Sequence, residues 1–288
     1  MNAENSINYN SPAALKAFLE QEGLGMQKKF GQNFLINPQV RKDLVQVMEL
    51  KSGDCIWEIG PGLGVMTELL LEKGANVKAF EIDNGFIRVL KNIFSENKNF
   101  TIVEGDVMKT WQKHPPVPYL LGNLPYNIAA VLLADFIEKG RQFSRMAVTV
   151  QKEVALRMMA SAGSPDYSSF SVMCASVYSV KPIMTIRPSS FFPQPNVDSM
   201  GVLLVNRLTG EKFPEIFFPL VRALFASRRK TIKNNLITFL SPRHGKIKTL
   251  DICASVLHEN AVNENERAEN LDFNAFLSLA KSIDNMRL

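Results

Sequence analysis

Apolar positions in the first two thirds of the chain follow two alternating patterns. Short apolar runs of strand length end in glycine, asparagine or acidic residues, and stretches whose apolar residues recur every three or four positions lie between them. The predicted strands are residues 55–59, 76–82, 100–103, 117–121 and 146–150, and the predicted helices are 66–71, 86–94 and 128–137. This alternation predicts an α/β fold, a parallel sheet with helices on both faces.

The residues before and after this alternation of strands and helices show different apolar patterns. Ser11-Pro12 and Asn37-Pro38 each predict a helix start, because an N-cap side chain precedes a proline in the first turn. Two late strands, 182–187 and 200–206, are predicted to form an antiparallel hairpin at the sheet edge. After Arg207 only helical patterns follow, at residues 215–226, 231–240, 250–258 and 274–282. We therefore predict an N-terminal extension with a helix (1–27), an α/β domain (28–210) and a small all-α C-terminal domain (211–288).

Composition narrows the class of protein. The 288 residues contain no apolar run of the ~18 to 20 residues that span a bilayer, and residues 1–10 do not resemble a secretory signal. The three cysteines lie far apart, with no metal-ligand spacing. A cytoplasmic protein without a membrane partner or a metal is expected.

Positive charge is concentrated in one segment of a chain whose net charge is +5. Residues 225–248 contain seven basic residues and no acid: Arg228, Arg229, Lys230, Lys233, Arg243, Lys246 and Lys248. Such a patch is typical of phosphate binding and favours a nucleic-acid partner. A solvated helix face is the alternative interpretation.

The strongest local signal is the segment 58–64, Glu-Ile-Gly-Pro-Gly-Leu-Gly, between a predicted strand and a predicted helix. Glycines there let the backbone adopt positive φ and approach a ligand closely. The spacing G-x-G-x-G differs from the dinucleotide fingerprint G-x-G-x-x-G, and with the preceding Glu58 it resembles the first motif of Rossmann-like methyltransferases. In those enzymes the loop holds the methionine part of S-adenosylmethionine. An NAD site and a simple tight turn remain alternatives.

Two acids follow at the ends of the next strands. Glu81 ends the second strand, where a carboxylate can accept both ribose hydroxyls of a nucleoside. Asp106 follows the third strand, where it can accept a hydrogen bond from an adenine amino group. Because ligands of open parallel sheets bind at the carboxyl ends of the strands, both positions support a nucleoside cofactor.

The segment Asn123-Leu124-Pro125-Tyr126 closes the fourth strand. It resembles the (Asn/Asp/Ser)-Pro-Pro-(Tyr/Phe) class of motifs. Such motifs are found in methyltransferases that act on amino nitrogens conjugated to a ring. The Asn123 side-chain oxygen and the Leu124 carbonyl can accept the two N–H bonds of adenine N6, Pro125 has no competing N–H, and Tyr126 can stack on the base. Phe191 and Phe192, before a proline-rich loop, offer a second aromatic platform. A turn at the first segment and a hydrophobic anchor at the second are the structural alternatives.

Taken in order, these motifs resemble the ribosomal RNA adenine dimethyltransferases, and specifically the small-subunit branch. The matching segments are residues 28–35, 58–64, 81–83, 105–106, 123–126, 191–199 and 225–230. The resemblance implies a Rossmann-like class I methyltransferase that uses S-adenosylmethionine. Its implied reaction is dimethylation of N6 on two adjacent adenosines in a hairpin loop near the 3′ end of 16S ribosomal RNA, within the immature small subunit.

The resemblance also implies residue roles. Asn33 and Leu35 would cover the cofactor, Gly60 would contact its methionine part, and Asn123 would bridge cofactor and target amine. Glu81 would hold the ribose and Asp106 the adenine. The target base would lie between Tyr126 and Phe191, and the residues expected to bind RNA are Arg228, Arg229, Lys230 and Lys233. A monomer is expected.

Some features separate this chain from its relatives. Asn196 stands where the family usually has lysine, which removes one expected phosphate contact. Resistance enzymes that act on the large subunit typically have Asn-Ile-Pro-Tyr where this chain has Asn-Leu-Pro-Tyr. A non-catalytic RNA-binding factor would require a broken cofactor loop, and a DNA adenine methyltransferase would need a target-recognition region that we do not recognise.

Overall fold

The computed structural model describes residues 7–25, 32–207, 210, 212–244 and 246–286. Residues 28–31 of the predicted motif lie outside the described residues, as do the side chains of Arg243 and Lys246. Among the described helices, none combines the length and the apolar character needed to cross a membrane.

The chain forms two compact units. The first contains Met1–Ala155 and Val180–Asn206, and the second contains Leu156–Ser179 and Arg207–Leu288. The change at residue 207 lies close to the predicted boundary near 210. Residues 156–179 were predicted to belong to the α/β domain, but they are part of the helical unit because Tyr167 and Val172 are buried in its core.

The helices and strands follow in chain order: α1 (Pro12–Gln21), β1 (Phe34–Leu35), α2 (Pro38–Gln46), β2 (Cys55–Ile59), α3 (Val65–Glu72), β3 (Asn76–Glu81), α4 (Asn84–Ile93), β4 (Phe100–Glu104), α5 (Val107–Thr110), β5 (Tyr119–Asn123), α6 (Ala129–Glu138), β6 (Arg145–Gln151), α7 (Lys152–Met159), α8 (Ser169–Val177), β7 (Tyr178–Ile186), β8 (Phe191–Phe192), β9 (Ser199–Asn206), α9 (Phe217–Phe225), α10 (Ile232–His244), α11 (Lys246–Glu259) and α12 (Phe273–Asn285).

The first unit contains a seven-stranded sheet in the order β4-β3-β2-β5-β6-β9-β7. Its first five strands pair in parallel, and β9 runs antiparallel to β6. The five parallel strands predicted from the sequence are confirmed. The two late strands do lie at one edge of the sheet, with β9 between β6 and β7.

Capping side chains and glycine determine where the helices around the glycine loop begin. The Ser11 side chain accepts a hydrogen bond from the Ala14 amide, and Asn37 accepts from Gln39 and Val40, as expected for N-caps. Helix α3 instead begins after Gly64, whose φ of 87° is left-handed. The loop before α3 is therefore shaped by glycine and not by a capping side chain.

Hydrophobic clusters of described residues stabilise each unit from within. In the first unit, one cluster includes Leu44, Ile56 and Leu70, and a second forms where α1 and α4 meet β1. The helical unit has its own core, in which Leu220 and Phe276 are fully buried. A separate apolar core in each unit agrees with independent folding units.

Candidate cofactor and active site

A pocket of about 210 Å³ lies where the carboxyl ends of β2, β3 and β5 meet. Adjacent strands end in register here, since Ile59 pairs with Phe80 on one side and with Gly122 on the other. Nine of the predicted site residues line this one pocket: Asn33, Leu35, Gly60, Glu81, Asp106, Asn123, Leu124, Pro125 and Tyr126. The fold of this unit thus brings together residues that are up to 93 positions apart in sequence (126 minus 33).

The glycine loop has the geometry that its sequence predicts. Gly62 has a φ of 57°, and a Cβ on it would lie 3.0 Å from the Phe34 ring, which forms part of the pocket wall. A Cβ on Gly64 would lie 2.7 Å from the Phe94 ring. Larger residues at either position would be strained and would displace an aromatic neighbour, so the loop requires glycine.

Glu81 organises this loop from inside the pocket. One carboxylate oxygen accepts the Ile82 and Asp83 amides at 2.9 Å each, and the other accepts the Gly62 amide at 3.1 Å. Burial raises the pKa of Glu81 to about 7, although these three bonds favour the charged form. Asp106, the second predicted acid, caps α5 by accepting from the Met108 amide at 3.0 Å.

Glu58 lies beneath the loop and is 2% exposed. The Thr67 hydroxyl donates to its carboxylate at 2.6 Å. Burial, followed by the nearby Glu81 charge, raises the pKa of Glu58 to about 8, while the Thr67 bond acts in the opposite direction. The contribution of Thr67 was not predicted, because Thr67 lies nine positions after Glu58, beyond the glycine loop.

Replacing Glu58 by glutamine is expected to reduce the pH dependence of stability. The folded-state pKa lies above the unfolded value, so the stabilising contribution is fully present below pH 4.5 and is lost as pH rises to about 8. Between pH 4.5 and 7 that loss is roughly 3 kcal/mol. Calorimetry of the cofactor-free proteins measures this effect. From pH 4.5 to 7 we expect the Tm of the wild type to fall by several degrees more than the Tm of Glu58→Gln. The control is Glu104→Gln, at an exposed site, and an equal fall in all three proteins would contradict the assignment.

Asn123 is held by a contact across the pocket. Its Nδ2 donates to the Asn33 carbonyl at 2.7 Å. Because this bond uses the amide nitrogen, the side-chain oxygen remains to accept from a ligand. The Leu124 amide donates to the Thr149 carbonyl at 3.1 Å, which fixes the backbone at the next acceptor, the Leu124 carbonyl.

Tyr126 is partly exposed at the pocket and fixed at its far end. Its hydroxyl lies 2.5 Å from the Ser199 hydroxyl, and Ser199 is fully buried at the start of β9. Burial raises the pKa of Tyr126. The ring is therefore a neutral, oriented surface on which a base can stack. The role of Ser199 was not predicted from the sequence, since a serine after a proline-rich loop carries no distinctive signal.

Phe191 was predicted to contact the target base, but it lies in the hydrophobic core. Its side chain is 1% exposed and packs in a core cluster with Leu35 and Ile186, and it is not part of the pocket wall. The β1–β8 pair explains this, because Phe191 is opposite Leu35 and Phe192 is opposite Phe34. In this conformation Phe191 is a hydrophobic anchor, the structural alternative considered above.

The four basic residues expected to bind RNA differ in their surroundings. Arg228 pairs with Glu269 at 3.0 Å and Lys233 pairs with Glu264 at 2.7 Å, both within the helical unit. Arg229 and Lys230 are exposed. Ion pairs at exposed sites contribute only about 0 to 1 kcal/mol, so phosphate can displace them. The acids lie over 30 residues later in the chain, which is why the sequence segment looked uniformly basic.

The pocket suits a cationic nucleoside better than a dinucleotide. Three acids line it, namely Glu58, Glu81 and Asp106, and no lysine, arginine or histidine lines it within the described part of the chain. Glu58 is mostly protonated at pH 7, but negative charge on the other carboxyls would repel a pyrophosphate and favour a sulfonium group, and ribose hydroxyls would find carboxyl oxygens as acceptors. The residues present therefore fit S-adenosylmethionine.

Comparison with known proteins agrees with this geometry. Residues 23–285 match the family described as ribosomal RNA adenine dimethylase. The chain is 46% identical to the ribosomal RNA small subunit methyltransferase A of Treponema denticola, over 97% of each chain. It is 39% identical to the protein of the same name from Treponema pallidum, over 96% of this chain and 97% of the other.

Two solved structures are also similar. A dimethyladenosine transferase from Plasmodium falciparum superposes with a TM-score of 0.75 at 27% identity, over 88% of this chain and 98% of the other. The 23S ribosomal RNA methyltransferase ErmE has a TM-score of 0.61 at 20% identity, over 87% of this chain and 99% of the other, and so shares the fold. The predicted Rossmann-like methyltransferase class and the predicted resemblance are both confirmed, and the chain belongs to the ribosomal RNA adenine dimethylase family.

Proposed function

We propose that this protein uses S-adenosylmethionine to dimethylate N6 of two adjacent adenosines in a hairpin loop near the 3′ end of 16S ribosomal RNA. The substrate is the immature small ribosomal subunit, and the enzyme acts on it as a monomer in the cytoplasm. Small-subunit RNA is favoured because full-length relatives at 46% and 39% identity carry that designation.

The observation that carries the proposal is the position of Asn123. Its nitrogen donates to the Asn33 carbonyl, so its oxygen is left as an acceptor in a pocket that also holds Glu81. Adenine N6 is a poor nucleophile because its lone pair is conjugated with the ring. Acceptors on its two N–H bonds, the Asn123 oxygen and the Leu124 carbonyl, orient the nitrogen and favour loss of that conjugation.

The residues that would hold the cofactor are already fixed by hydrogen bonds within the chain. Glu81 would accept from the ribose hydroxyls, Asp106 would accept from the adenine amino group, and Gly60 would allow close approach of the methionine part. When bound, S-adenosylmethionine supplies an electrophilic methyl group on a cationic sulfonium. Asn33 and Leu35, which line the pocket, would cover the bound cofactor.

The chain's own groups act by positioning more than by proton transfer. Of the residues that line the pocket in the described part of the chain, the titratable ones are Glu58, Glu81, Asp106 and Tyr126. Glu58 is bonded to Thr67 and Glu81 to three backbone amides, so neither is arranged as a base for N6. After methyl transfer the proton on N6 would pass to solvent water, and Tyr126 would hold the target base by stacking.

The helical unit supplies contacts to the RNA backbone through its exposed cations. Replacing Arg229 and Lys230 together by alanine is expected to raise KM for the RNA about tenfold with kcat nearly unchanged. The slope of log KM against log salt should fall by about one to two, since about two phosphate contacts are lost. Steady-state kinetics at several salt concentrations measures both quantities.

A matched control for this prediction removes the same number of charges. The pair Arg228→Ala and Lys233→Ala deletes cations that are held by Glu269 and Glu264. We expect a smaller effect on KM from this pair. If the control pair raises KM as much as the exposed pair, the distinction between paired and exposed cations is wrong.

Expression in a bacterium that lacks this modification tests the function. N6,N6-dimethyladenosine blocks Watson–Crick pairing, so reverse transcription of 16S RNA should stop at two adjacent adenosines when the wild-type protein is present. Full read-through, with the protein expressed and folded, would contradict the proposed substrate. Stops confined to 23S RNA would move the assignment to the large-subunit enzymes.

A further inference from the structure

Helix α1 and the residues before it are packed against the wall of the cofactor pocket. Leu15 and Leu19 are 1% and 4% exposed, and they share a cluster with Phe34 and Leu63. Phe34 lines the pocket, and Leu63 lies within the glycine loop. The match to the family begins at residue 23, so residues 7–22 precede it.

One polar contact joins this segment directly to the glycine loop. The Tyr9 hydroxyl donates to the Leu63 carbonyl at 3.0 Å. Burial is the main cause of a raised pKa at Tyr9, so the phenol stays protonated and remains a donor at neutral pH. On the other side of the loop, the Gly62 amide donates to Glu81. The loop is therefore held from outside by Tyr9 and from inside by Glu81.

A second contact reaches another wall of the pocket. Arg41, which is 6% exposed, donates through Nη1 to the Leu35 carbonyl at 3.2 Å. Its other terminal nitrogen, Nη2, donates to the Asn10 side chain. Leu35 lines the pocket, so Arg41 connects the N-terminal segment to β1.

We infer that Tyr9 and the Asn10–Arg41 pair are positioning residues of the cofactor site, which hold the glycine loop and β1 in their binding geometry before S-adenosylmethionine arrives. A loop with three glycines loses much conformational freedom on ordering. Contacts that order it in advance reduce the entropic cost of binding and so raise affinity. This inference rests on the proposed function for the identity of the ligand.

The test is calorimetric titration of S-adenosylmethionine into the full-length Tyr9→Phe protein, without RNA. This variant removes only the hydroxyl, and we expect Kd to rise about fivefold, which corresponds to one neutral hydrogen bond. Amide hydrogen exchange of residues 62–64 in the cofactor-free protein should become faster. Asn10→Ala should also raise Kd, since Arg41 then loses its link to the segment.

The matched control is Tyr167→Phe. The Tyr167 hydroxyl also donates to a main-chain carbonyl, that of Leu271 at 2.9 Å, but within the helical unit. We expect Tyr167→Phe to lower Tm about as much as Tyr9→Phe does, and to leave the Kd of S-adenosylmethionine unchanged. A Kd within twofold of the wild type for both Tyr9→Phe and Asn10→Ala would overturn the inference while leaving the proposed function intact. A wild-type protein that does not bind S-adenosylmethionine would overturn both.

Discussion

Replacing Asn123 by alanine is expected to lower kcat by about two to three orders of magnitude, the largest effect that the site predicts. The side-chain oxygen of Asn123 is an acceptor for N6, and its nitrogen is bonded to the Asn33 carbonyl at 2.7 Å. Alanine removes the acceptor whose contribution is greatest when N6 loses its conjugation. Single-turnover methylation of the RNA measures the chemical step, and the Kd of S-adenosylmethionine should change less than about fivefold.

A control for this prediction is Asn76→Ala. Asn76 begins β3 and also donates through Nδ2 to a main-chain carbonyl, that of Gly53 at 2.8 Å, at an exposed position. It should leave kcat unchanged. A kcat for Asn123→Ala within tenfold of the wild type, with the protein folded, would remove Asn123 from the proposed mechanism.

Replacing Glu81 by alanine is expected to raise the Kd of S-adenosylmethionine about 100-fold or more. The hydrogen bond from the ribose hydroxyls to the remaining acceptor site of the carboxylate is lost, which contributes about 1.5 to 3 kcal/mol. The Gly62 amide also loses its acceptor, so the loop is less well ordered. Calorimetric titration measures this change, with Glu104→Ala as control, because Glu104 is paired in register with Glu81 but is exposed on β4.

The pH dependence of cofactor affinity gives a second signature of Glu81. Its pKa is raised to about 7 by burial, and protonation removes an acceptor site from a carboxylate that already accepts three amides. Affinity should therefore increase as pH rises through about 7 and level off above it. The Glu81→Ala protein should lose most of this dependence. An affinity that is constant from pH 6 to 8 in the wild type would contradict the role assigned to this carboxylate.

The parts of the fold that are encoded locally were predictable from the sequence. Ser11 and Asn37 mark the starts of their helices in the sequence. An N-cap side chain accepts a hydrogen bond from an amide only two or three residues later, so the signal is local. The glycines at 60, 62 and 64 have left-handed φ angles, which few other residues adopt. Because parallel strands end at one edge of a sheet, Glu81 and Asn123 could be placed together from strand order alone.

The parts that depend on distant contacts were not predictable. Helix α8 is buried along most of its length and has no amphipathic pattern, so residues 169–177 were not recognised as helical. The β1–β8 pair has only two residues in each strand, too few for a recognisable strand pattern. This pair places Phe191 opposite Leu35, where its side chain is buried. Tyr9 reaches a carbonyl 54 residues away, and no local pattern marks such a contact.

The proposed reaction can be tested by incubating the purified protein with under-methylated small ribosomal subunits and S-adenosylmethionine, and then mapping the modified nucleosides by mass spectrometry. We expect N6,N6-dimethyladenosine at two adjacent positions near the 3′ end of 16S RNA, and its loss with Asn123→Ala. Methyl groups on another base or another atom of adenine, or no transfer by a protein that binds the cofactor, would contradict it.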